Sequence, residues 1–262
     1  MDILCDRASL AVATLKGNHA VPSVYYQDSM RDCLVAEREL VSDLYSALEN
    51  KEFVAYLQPK YYLRTGELSG VEALVRWQHP VKGLIYPGDF ITIFENNGSI
   101  TKLDLYMFEE VCKLQAAWAK AGFKAIPVAV NQSKRHLREA GSPETLGAIA
   151  QHYGVQPALI EIEFTETAIA ENMGDAMDVI LKFRNLGFKI SIDDFGAGYS
   201  PFNMLKDLVV DTLKIDREFL RETPDQIRSK RIISSIIRLA QDLDIETVAE
   251  GIETAEQAAF LR

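Results

Sequence analysis

The chain contains few of the residues that form disulfides or zinc sites, and it has no long apolar run. Its three cysteines, Cys5, Cys33 and Cys112, are odd in number and widely separated, which is typical of free thiols in a reducing compartment. The four histidines form no pair at ligand spacing, so we expect no zinc site, and any metal would need oxygen ligands. No segment has the length of a membrane span, and the N-terminus lacks a signal-peptide pattern. These absences predict a soluble, cytoplasmic protein without direct membrane contact.

Positive charge is scarce as well. The chain has 28 lysines and arginines against 38 acidic residues, which gives a net charge of −10. This balance offers no basic surface for a nucleic acid polymer, and a phosphate-bearing substrate would need local cations or a metal. Hydrophobic residues, by contrast, make up 48% of the 262 positions. That content is enough for one large core, and the length is typical of an α/β barrel.

Short apolar segments alternate with helical patterns from Glu52 onward. The predicted strands are 53–58, 68–77, 125–130, 159–164, the segment that ends at Asp193 and Asp194, 211–215 and 246–249. Predicted helices occupy 101–120 and 172–186. Others begin at Ser142, which would be the cap of its helix, at Thr223, where residues 223–226 form a capping box, and at Thr254. This alternation predicts a parallel sheet covered by helices, and Pro59 is expected to limit the first strand.

The first fifty residues differ from this alternating part. A helical pattern begins at Asp6, and residues 21–26 have the pattern of a short strand, which is too little to fold alone. Residues 31–50 form an amphipathic helical pattern with apolar residues near one face. We interpret 1–30 as the tail of a preceding domain, 31–50 as a connecting helix and 51–262 as the main domain.

Polar residues lie in or at the end of successive predicted strands: Glu72, Asn131, Glu163, Asp193, Asp194, Lys214 and Glu250. Asp193 and Asp194 would repel each other unless a cation neutralises them, although such a pair can also cap a helix. An open sheet would spread these groups apart, whereas a (β/α)8 barrel brings its strand ends to one mouth, where such barrels place their active sites. We therefore predict an α/β barrel with a carboxylate-rich metal centre.

The chemistry of these ligands favours Mg²⁺ or Mn²⁺, and the number of acids favours two ions with Asp193 between them. Two ions about 3.5–4 Å apart can activate a water and hold a phosphodiester for displacement. Lys214 could orient that water or pair with Glu250 or Glu253, and Arg76 could contact phosphate or lie at the surface. An alternative is an enolate-forming barrel, in which carboxylates bind Mg²⁺ and a lysine acts as the base.

Seven short motifs follow one another between about residue 41 and the end of the chain. They are Tyr56-Leu57-Gln58-Pro59, Glu72-Ala73-Leu74, Asn131-Gln132-Ser133, Glu161-Ile162-Glu163-Phe164-Thr165-Glu166-Thr167, Asp193-Asp194-Phe195-Gly196, Leu213-Lys214-Ile215-Asp216 and Glu250-Gly251-Ile252-Glu253-Thr254. Together they resemble the EAL-domain family, the cyclic di-GMP phosphodiesterases. The resemblance implies a modified TIM (β/α)8-type barrel with one antiparallel strand, which in 51–262 would lack its last strand and be C-terminally incomplete.

The same resemblance implies metal-dependent hydrolysis of cyclic di-GMP to linear pGpG, with two Mg²⁺ or Mn²⁺ ions. The implied metal ligands are Glu72, Asn131, Glu163, Asp193, Asp194 and Glu250, with Asp193 shared between the ions. The implied catalytic groups are Lys214, which would hold the attacking water, Glu250, and Glu253, which would support the lysine. The implied substrate contacts are Gln58, Leu74 and Arg76, while Glu166 would anchor a mobile loop that runs through Ser200.

Residues 1–30 are similar to the last helix and strand of a GGDEF domain, without the GGDEF signature itself. This similarity predicts that the chain is a module of a larger bacterial signalling protein, whose other domains could anchor it to a membrane. The mobile loop of the family links metal binding to dimerisation, so we expect a homodimer through that region. A cyclic di-GMP receptor that binds without turnover is the alternative function.

Overall fold

The computed structural model describes residues 2–13, 23–196, 201–221 and 226–262. Helices α1 (Asp2–Ala13) and α2 (Asp28–Glu49) precede the sheet. The strands are β1 (Phe53–Tyr61), β2 (Leu68–His79), β3 (Gly83–Ile85), β4 (Val128–Asn131), β5 (Ile160–Thr165), β6 (Lys189–Phe195), β7 (Thr212–Ile215) and β8 (Glu246–Ala249). The other helices are α3 (Pro87–Asn97), α4 (Ile100–Lys120), α5 (Ser142–His152), α6 (Glu166–Ala170), α7 (Met173–Asn185), α8 (Pro201–Asp207), α9 (Gln226–Asp242) and α10 (Ala255–Leu261).

The strands form one sheet in the order β1-β2-β4-β5-β6-β7-β8, with the short β3 paired to β2. β1 is antiparallel to β2, whereas each later pair along this order is parallel. The sheet is curled. This is shown by the contact between Lys214 of β7 and Glu72 of β2, two strands that are four places apart in the order. The predicted α/β fold, a TIM-barrel type with one antiparallel strand, is confirmed.

The two faces of the sheet differ in character because successive strand residues point to opposite faces. On the outer face, Val128, Ile162 and Leu213 belong to the larger hydrophobic core, which the surrounding helices complete. The residues that alternate with them point to the inner face, and these include the buried Glu163 and Lys214. Apolar burial therefore holds the helices against the sheet and leaves the concave face for charged groups.

A second hydrophobic core forms where α2, α3 and the start of α4 cover β1 and β2. Leu44, Phe53, Trp77, Phe90 and Phe94 are each at most 1% exposed in this core. Leu44 belongs to the second half of α2, the segment predicted as a connecting helix. That half of the helix is therefore packed against the sheet.

Pro59 does not end β1 as the sequence predicted, since the strand continues to Tyr61. Pro59 lies opposite Val71 in the register with β2. β1 stands at the end of the sheet order, and an edge strand tolerates proline because one of its sides has no ladder to break. The two extra residues matter, because they place Lys60 on the strand.

Some local predictions also differ from the structure. Ser142 is the first residue of α5 rather than its cap, and its hydroxyl lies 2.8 Å from His136 Nδ1. Residues 23–26 of the predicted strand 21–26 have no regular secondary structure, while 21 and 22 lie outside the described residues. Residues 223–225 of the predicted capping box lie outside them as well. The sequence predictions omitted β3, α3, α6 and α8.

Candidate active site

Lys214 stands at the centre of the concave face. Its side chain is 2% exposed, and its ammonium group contacts four carboxylates that come from four different strands or strand ends. The distances from Nζ are 3.1 Å to Glu72, 2.9 Å to Glu163, 3.1 Å to Asp193 and 2.7 Å to Glu250. Four of the acids predicted to converge, Glu72, Glu163, Asp193 and Glu250, therefore meet at Lys214, which the same prediction included.

Three of these acids form a compact group of oxygen donors. One carboxylate oxygen from each of Glu72, Glu163 and Asp193 lies within 4.8 Å of the other two. Asn131 extends the group, because its side-chain amide donates a hydrogen bond to Glu72 Oε1 at 2.9 Å. Carboxylate and amide oxygens are the ligands that Mg²⁺ and Mn²⁺ prefer, so this donor set fits either ion.

Burial and charge oppose each other at the two most central glutamates. Burial raises the pKa of Glu163 to about 8, although Lys214 and Lys60 act in the other direction. Burial also opposes ionisation of Glu72, but Lys214 and the Asn131 amide outweigh it, so the pKa of Glu72 lies below its ordinary value. The site thus holds a carboxylate that ionises readily beside one that ionises fully only in the presence of additional positive charge.

Asp194 sits at a strained point of the chain just after Asp193. Its φ of 54° is in the left-handed region, which is uncommon for a residue other than glycine. Its backbone N–H donates to Asp193 Oδ1 at 2.9 Å, and its own carboxyl group bonds to Asp216. Burial, followed by the charges of Asp193 and Asp216, raises the pKa of Asp194 to about 6. The paired acids are therefore split, with Asp193 on Lys214 and Asp194 turned toward Asp216.

Glu250 and Glu253 have different positions relative to Lys214. Glu250 pairs with the lysine, and burial raises the pKa of this glutamate. Glu253 is exposed at the start of α10, where its backbone N–H donates to the Gln257 side chain. Within the described ranges, no ion pair joins Glu253 to Lys214. The structure therefore brings one of these two predicted partners to the lysine.

Glu166 holds the end of β6. It is 2% exposed, and its Oε2 accepts a hydrogen bond from the Gly196 backbone N–H at 2.6 Å. Gly196 has a φ of +97°, and a Cβ there would lie 2.2 Å from the Phe219 ring, so only glycine fits. Glu166 is thus attached to Gly196, the second residue of the predicted mobile loop that follows Asp194. Residues 197–200 of that loop lie outside the described part of the chain.

The three predicted substrate residues lie beside the carboxylates on β1 and β2. Gln58 is opposite Glu72 in the register, and Leu74 follows Glu72 on the same face. Arg76 comes next on that face, with its guanidinium 5.7 Å from the Tyr56 ring centre and 5.6 Å from that of Tyr86. A cation flanked by two half-exposed rings thus borders the acidic group, and sequence reasoning assigned neither tyrosine a part in it.

Lys60 and Glu161 are also part of the buried charge cluster, and sequence reasoning assigned neither to the site. Lys60 Nζ lies 3.0 Å from Glu163 Oε1 and 3.6 Å from Glu161 Oε1. The two-residue spacing of Gln58 and Lys60 is the signal that was available, since it places both side chains on one face of a strand. This signal was overlooked because β1 was expected to end at Pro59, which would leave Lys60 outside the strand.

Comparison with known proteins identifies the family. Residues 41–262 match the model of the EAL domain. The chain belongs to the EAL domain family. It is 38% identical over 222 residues to the cyclic di-GMP phosphodiesterase PdeR of Escherichia coli, covering 85% of this chain and 33% of that protein. It is 37% identical over 226 residues to the cyclic di-GMP phosphodiesterase NbdA of Pseudomonas aeruginosa, covering 86% of this chain and 29% of that one. The chain thus spans about a third of the length of these relatives.

Solved EAL structures share the fold. The PaMucR phosphodiesterase in complex with c-di-GMP superposes with a TM-score of 0.79 at 35% identity, covering 85% of this chain and 90% of that one. The EAL enzyme Bd1971, bound to cAMP and cyclic di-GMP, gives a TM-score of 0.80 at 30% identity, covering 100% of this chain and 67% of the other. In the EAL domain of this chain, the tripeptide Glu72-Ala73-Leu74 is on β2, where Glu72 faces the carboxylate group and Ala73 the outer core. No described helix has the length and apolar character needed to cross a membrane.

Proposed function

We propose that this EAL domain hydrolyses cyclic di-GMP to linear pGpG in a reaction that depends on Mg²⁺ or Mn²⁺. The observation that carries the proposal is the buried set of oxygen donors around Lys214, in which Glu72, Glu163 and Asp193 lie within reach of one ion. Relatives named as cyclic di-GMP phosphodiesterases support the substrate and the reaction. The donor set alone does not distinguish this reaction from the enolate-forming alternative. Membership of the EAL domain family is what argues against that alternative.

The metal ligands that we propose fall into two groups that share Asp193. Glu72, Asn131, Glu163 and Asp193 would bind one ion, and Asp193, Asp194 and Glu250 the other. When bound, two such ions supply a nucleophilic water at neutral pH and neutralise charge on the phosphodiester. Support for two ions comes from the excess of carboxylates, since four of them contact the single ammonium group of Lys214.

Lys214 is the proposed catalytic group for the water. Its carboxylate neighbours outweigh burial and raise its pKa above the ordinary lysine value, so the group is an ammonium that donates hydrogen bonds and cannot act as a base. Held by Glu250 and Asp193, it can orient a water and stabilise negative charge on the phosphoryl oxygens. Glu253 would support this lysine after a rearrangement of the segment that follows β8, because the two groups are separate in this structure.

Substrate binding is proposed for Gln58, Leu74 and Arg76. Arg76 supplies the positive charge that a phosphodiester requires in an acidic protein, and its guanidinium can also donate two parallel hydrogen bonds to phosphate. Gln58 lies across the strand pair from Glu72, which places a neutral donor and acceptor beside the metal ligands. Glu166 would hold the loop after Asp194 in place when substrate binds.

The context of the domain is also a proposal. We infer that residues 51–262 are a module of a larger bacterial signalling protein on the cytoplasmic side, since the relatives are about three times as long as the matched part. In this proposal, 1–30 are the end of a GGDEF-like domain and 31–50 connect it to the barrel. Two copies would associate through the region after β6, where the metal ligands Asp193 and Asp194 adjoin the loop.

The direct test is incubation of the purified chain with cyclic di-GMP and Mg²⁺ or Mn²⁺, followed by chromatography. We expect linear pGpG to accumulate, and EDTA to stop its formation. Excess Ca²⁺ should inhibit as well, because Ca²⁺ adopts a looser coordination geometry than Mg²⁺. Tight binding of cyclic di-GMP without any product over hours would contradict the proposal and support the receptor alternative.

A further inference from the structure

We propose that Lys60 is a positioning residue of the metal centre, which fixes the Glu163 carboxylate so that one defined oxygen faces the ions. This inference rests on the proposed function, because it assumes that Glu163 binds metal. Lys60 lies on β1, three strands away from Glu163 in the sheet order, and contacts it at 3.0 Å. The family motifs quoted above place no ligand at this position.

The register of β1 and β2 explains how the lysine reaches across the concave face. Lys60 is opposite Gly70, one step deeper in the barrel than the Gln58–Glu72 pair. Gly70 has no side chain, and even a Cβ there would lie 3.0 Å from the Pro127 carbonyl oxygen. Because Gly70 has no side chain, none lies directly across the strand pair from Lys60, and the four-carbon stem of Lys60 reaches Glu163 on β5.

The two oxygens of Glu163 accept from different lysines. Lys60 donates to Oε1 at 3.0 Å, and Lys214 donates to Oε2 at 2.9 Å. Oε2 is on the side of Lys214, where Glu72 and Asp193 also lie, whereas Oε1 is turned toward Glu161 and the interior. The hydrogen bond from Lys60 therefore holds the carboxylate in an orientation in which Oε2 is the oxygen on the side of Glu72 and Asp193, where the ions would bind.

Burial makes this contact more than an ordinary ion pair. The Glu163 side chain is 0% exposed and that of Lys60 is 13% exposed, so water cannot take over the hydrogen bond to Oε1 if Lys60 is removed. Groups that hydrogen-bond a metal ligand from behind orient it, and their loss typically lowers metal affinity roughly 10- to 100-fold. A lysine that only supported the fold would leave the affinity unchanged in a folded variant.

The test measures Mn²⁺ affinity without substrate, by calorimetry on the purified chain. We expect Lys60→Met to weaken binding roughly 10- to 100-fold, and Lys60→Arg, which keeps a cationic donor, to recover most of the loss. Lys113→Met is the matched control. It makes the same substitution at a lysine on helix α4 that forms ion pairs with Glu109 and Glu110 and contacts none of the proposed metal ligands. Its affinity should equal that of the unaltered chain.

The outcomes separate this inference from the proposed function. A folded Lys60→Met variant with unchanged Mn²⁺ affinity overturns the positioning role, while hydrolysis by the unaltered chain would still stand. If Lys60→Met does not fold, Lys60→Gln replaces it with the same expected loss of affinity. Failure of both variants to fold would assign Lys60 to the fold alone and overturn the inference. If the unaltered chain bound no Mn²⁺, the proposed function would fail together with it.

Discussion

Glu163 has no solvent exposure and lies between Lys60 and Lys214. Burial and the two neighbouring charges therefore have opposite effects on its ionisation. Burial favours its neutral form, while Lys60 and Lys214 favour its charged form, and the balance leaves its pKa at about 8. A divalent cation would shift that balance, since it adds positive charge at the point where the carboxylates meet. The metal-free protein should therefore titrate in a range where the metal-bound protein does not.

We predict opposite effects of pH on the metal-free and metal-bound forms. The folded pKa values of Glu163, about 8, and Asp194, about 6, exceed the ordinary values of 4.5 and 3.8. A raised folded pKa contributes stability that is complete below the unfolded value and is lost as pH rises through the folded value. In EDTA, the thermal unfolding midpoint should decrease as the pH is raised from about 5 to about 8.5. The amount by which Mn²⁺ raises that midpoint should become larger over the same pH range.

Glu163→Gln is the control for this titration. It removes the carboxyl group with the highest pKa in the cluster, so the decline of the metal-free midpoint should become shallower and should end near pH 6. The opposite result would be a thermal midpoint of the unaltered chain in EDTA that rises from about pH 5 to about pH 8.5. It would show that these carboxyl groups are already ionised without metal.

Asp193→Asn is predicted to lower turnover of cyclic di-GMP by about a thousandfold. The change keeps the shape of the side chain but removes the charge that both proposed ions share, and the stabilisation at stake is several kcal/mol. Circular dichroism should show an intact fold, because Asp193 is half-buried and its Lys214 contact is one of four. An Asn variant with full turnover would exclude Asp193 as a shared ligand.

The sequence predicted the inner charged residues well where they follow parallel strands. Alternation and strand order suffice to bring together five residues that lie in or directly after these strands, namely Glu72, Asn131, Glu163, Asp193 and Glu250. Lys60 was missed because β1 was expected to end at Pro59, which hid the two-residue spacing of Gln58 and Lys60. The antiparallel pairing that sets Lys60 opposite Gly70 has no local sequence signal.

At the scale of elements, α2 contributes to the core in a way that its sequence did not show. The sequence predicted a connecting helix, and its second half also packs Leu40, Leu44 and Ala47 into the core formed with Phe53 and Trp77. The apolar stripe was visible in the sequence, while its partner surface was not, because β3 and α3 were absent from the prediction. β3 has three residues, which is too short for a periodic pattern.

Leu44→Ala tests whether α2 belongs to the folding unit. Leu44 is 0% exposed, so we expect the free energy of unfolding in urea to fall by about 2 to 5 kcal/mol. Val35→Ala, on the same helix but 48% exposed, is the matched control and should change it by less than about 0.5 kcal/mol. Equal small effects of both substitutions would show that α2 is a connector that contributes nothing to the stability of the barrel.

At the scale of the whole molecule, curvature of the sheet creates the site. β1 and β7 are five places apart along the sheet order, yet their lysines contact the same glutamate. The outer face buries the apolar residues that stabilise the fold, and this leaves the inner face free to hold charged groups that no packed core would accept. The curved inner face thereby gathers four carboxylates around Lys214, where the proposed ions and phosphodiester would bind.

The most direct measurement is hydrolysis of cyclic di-GMP with Mn²⁺ in water enriched in the heavy oxygen isotope, followed by mass spectrometry of the product. We expect linear pGpG with a single heavy oxygen on its terminal phosphate, since water attacks the phosphodiester. No such product should form in EDTA, and Asp193→Asn should form it about a thousandfold more slowly. Unreacted cyclic di-GMP should carry no label. Absence of product, or a product without the heavy oxygen, would contradict metal-dependent hydrolysis by this domain.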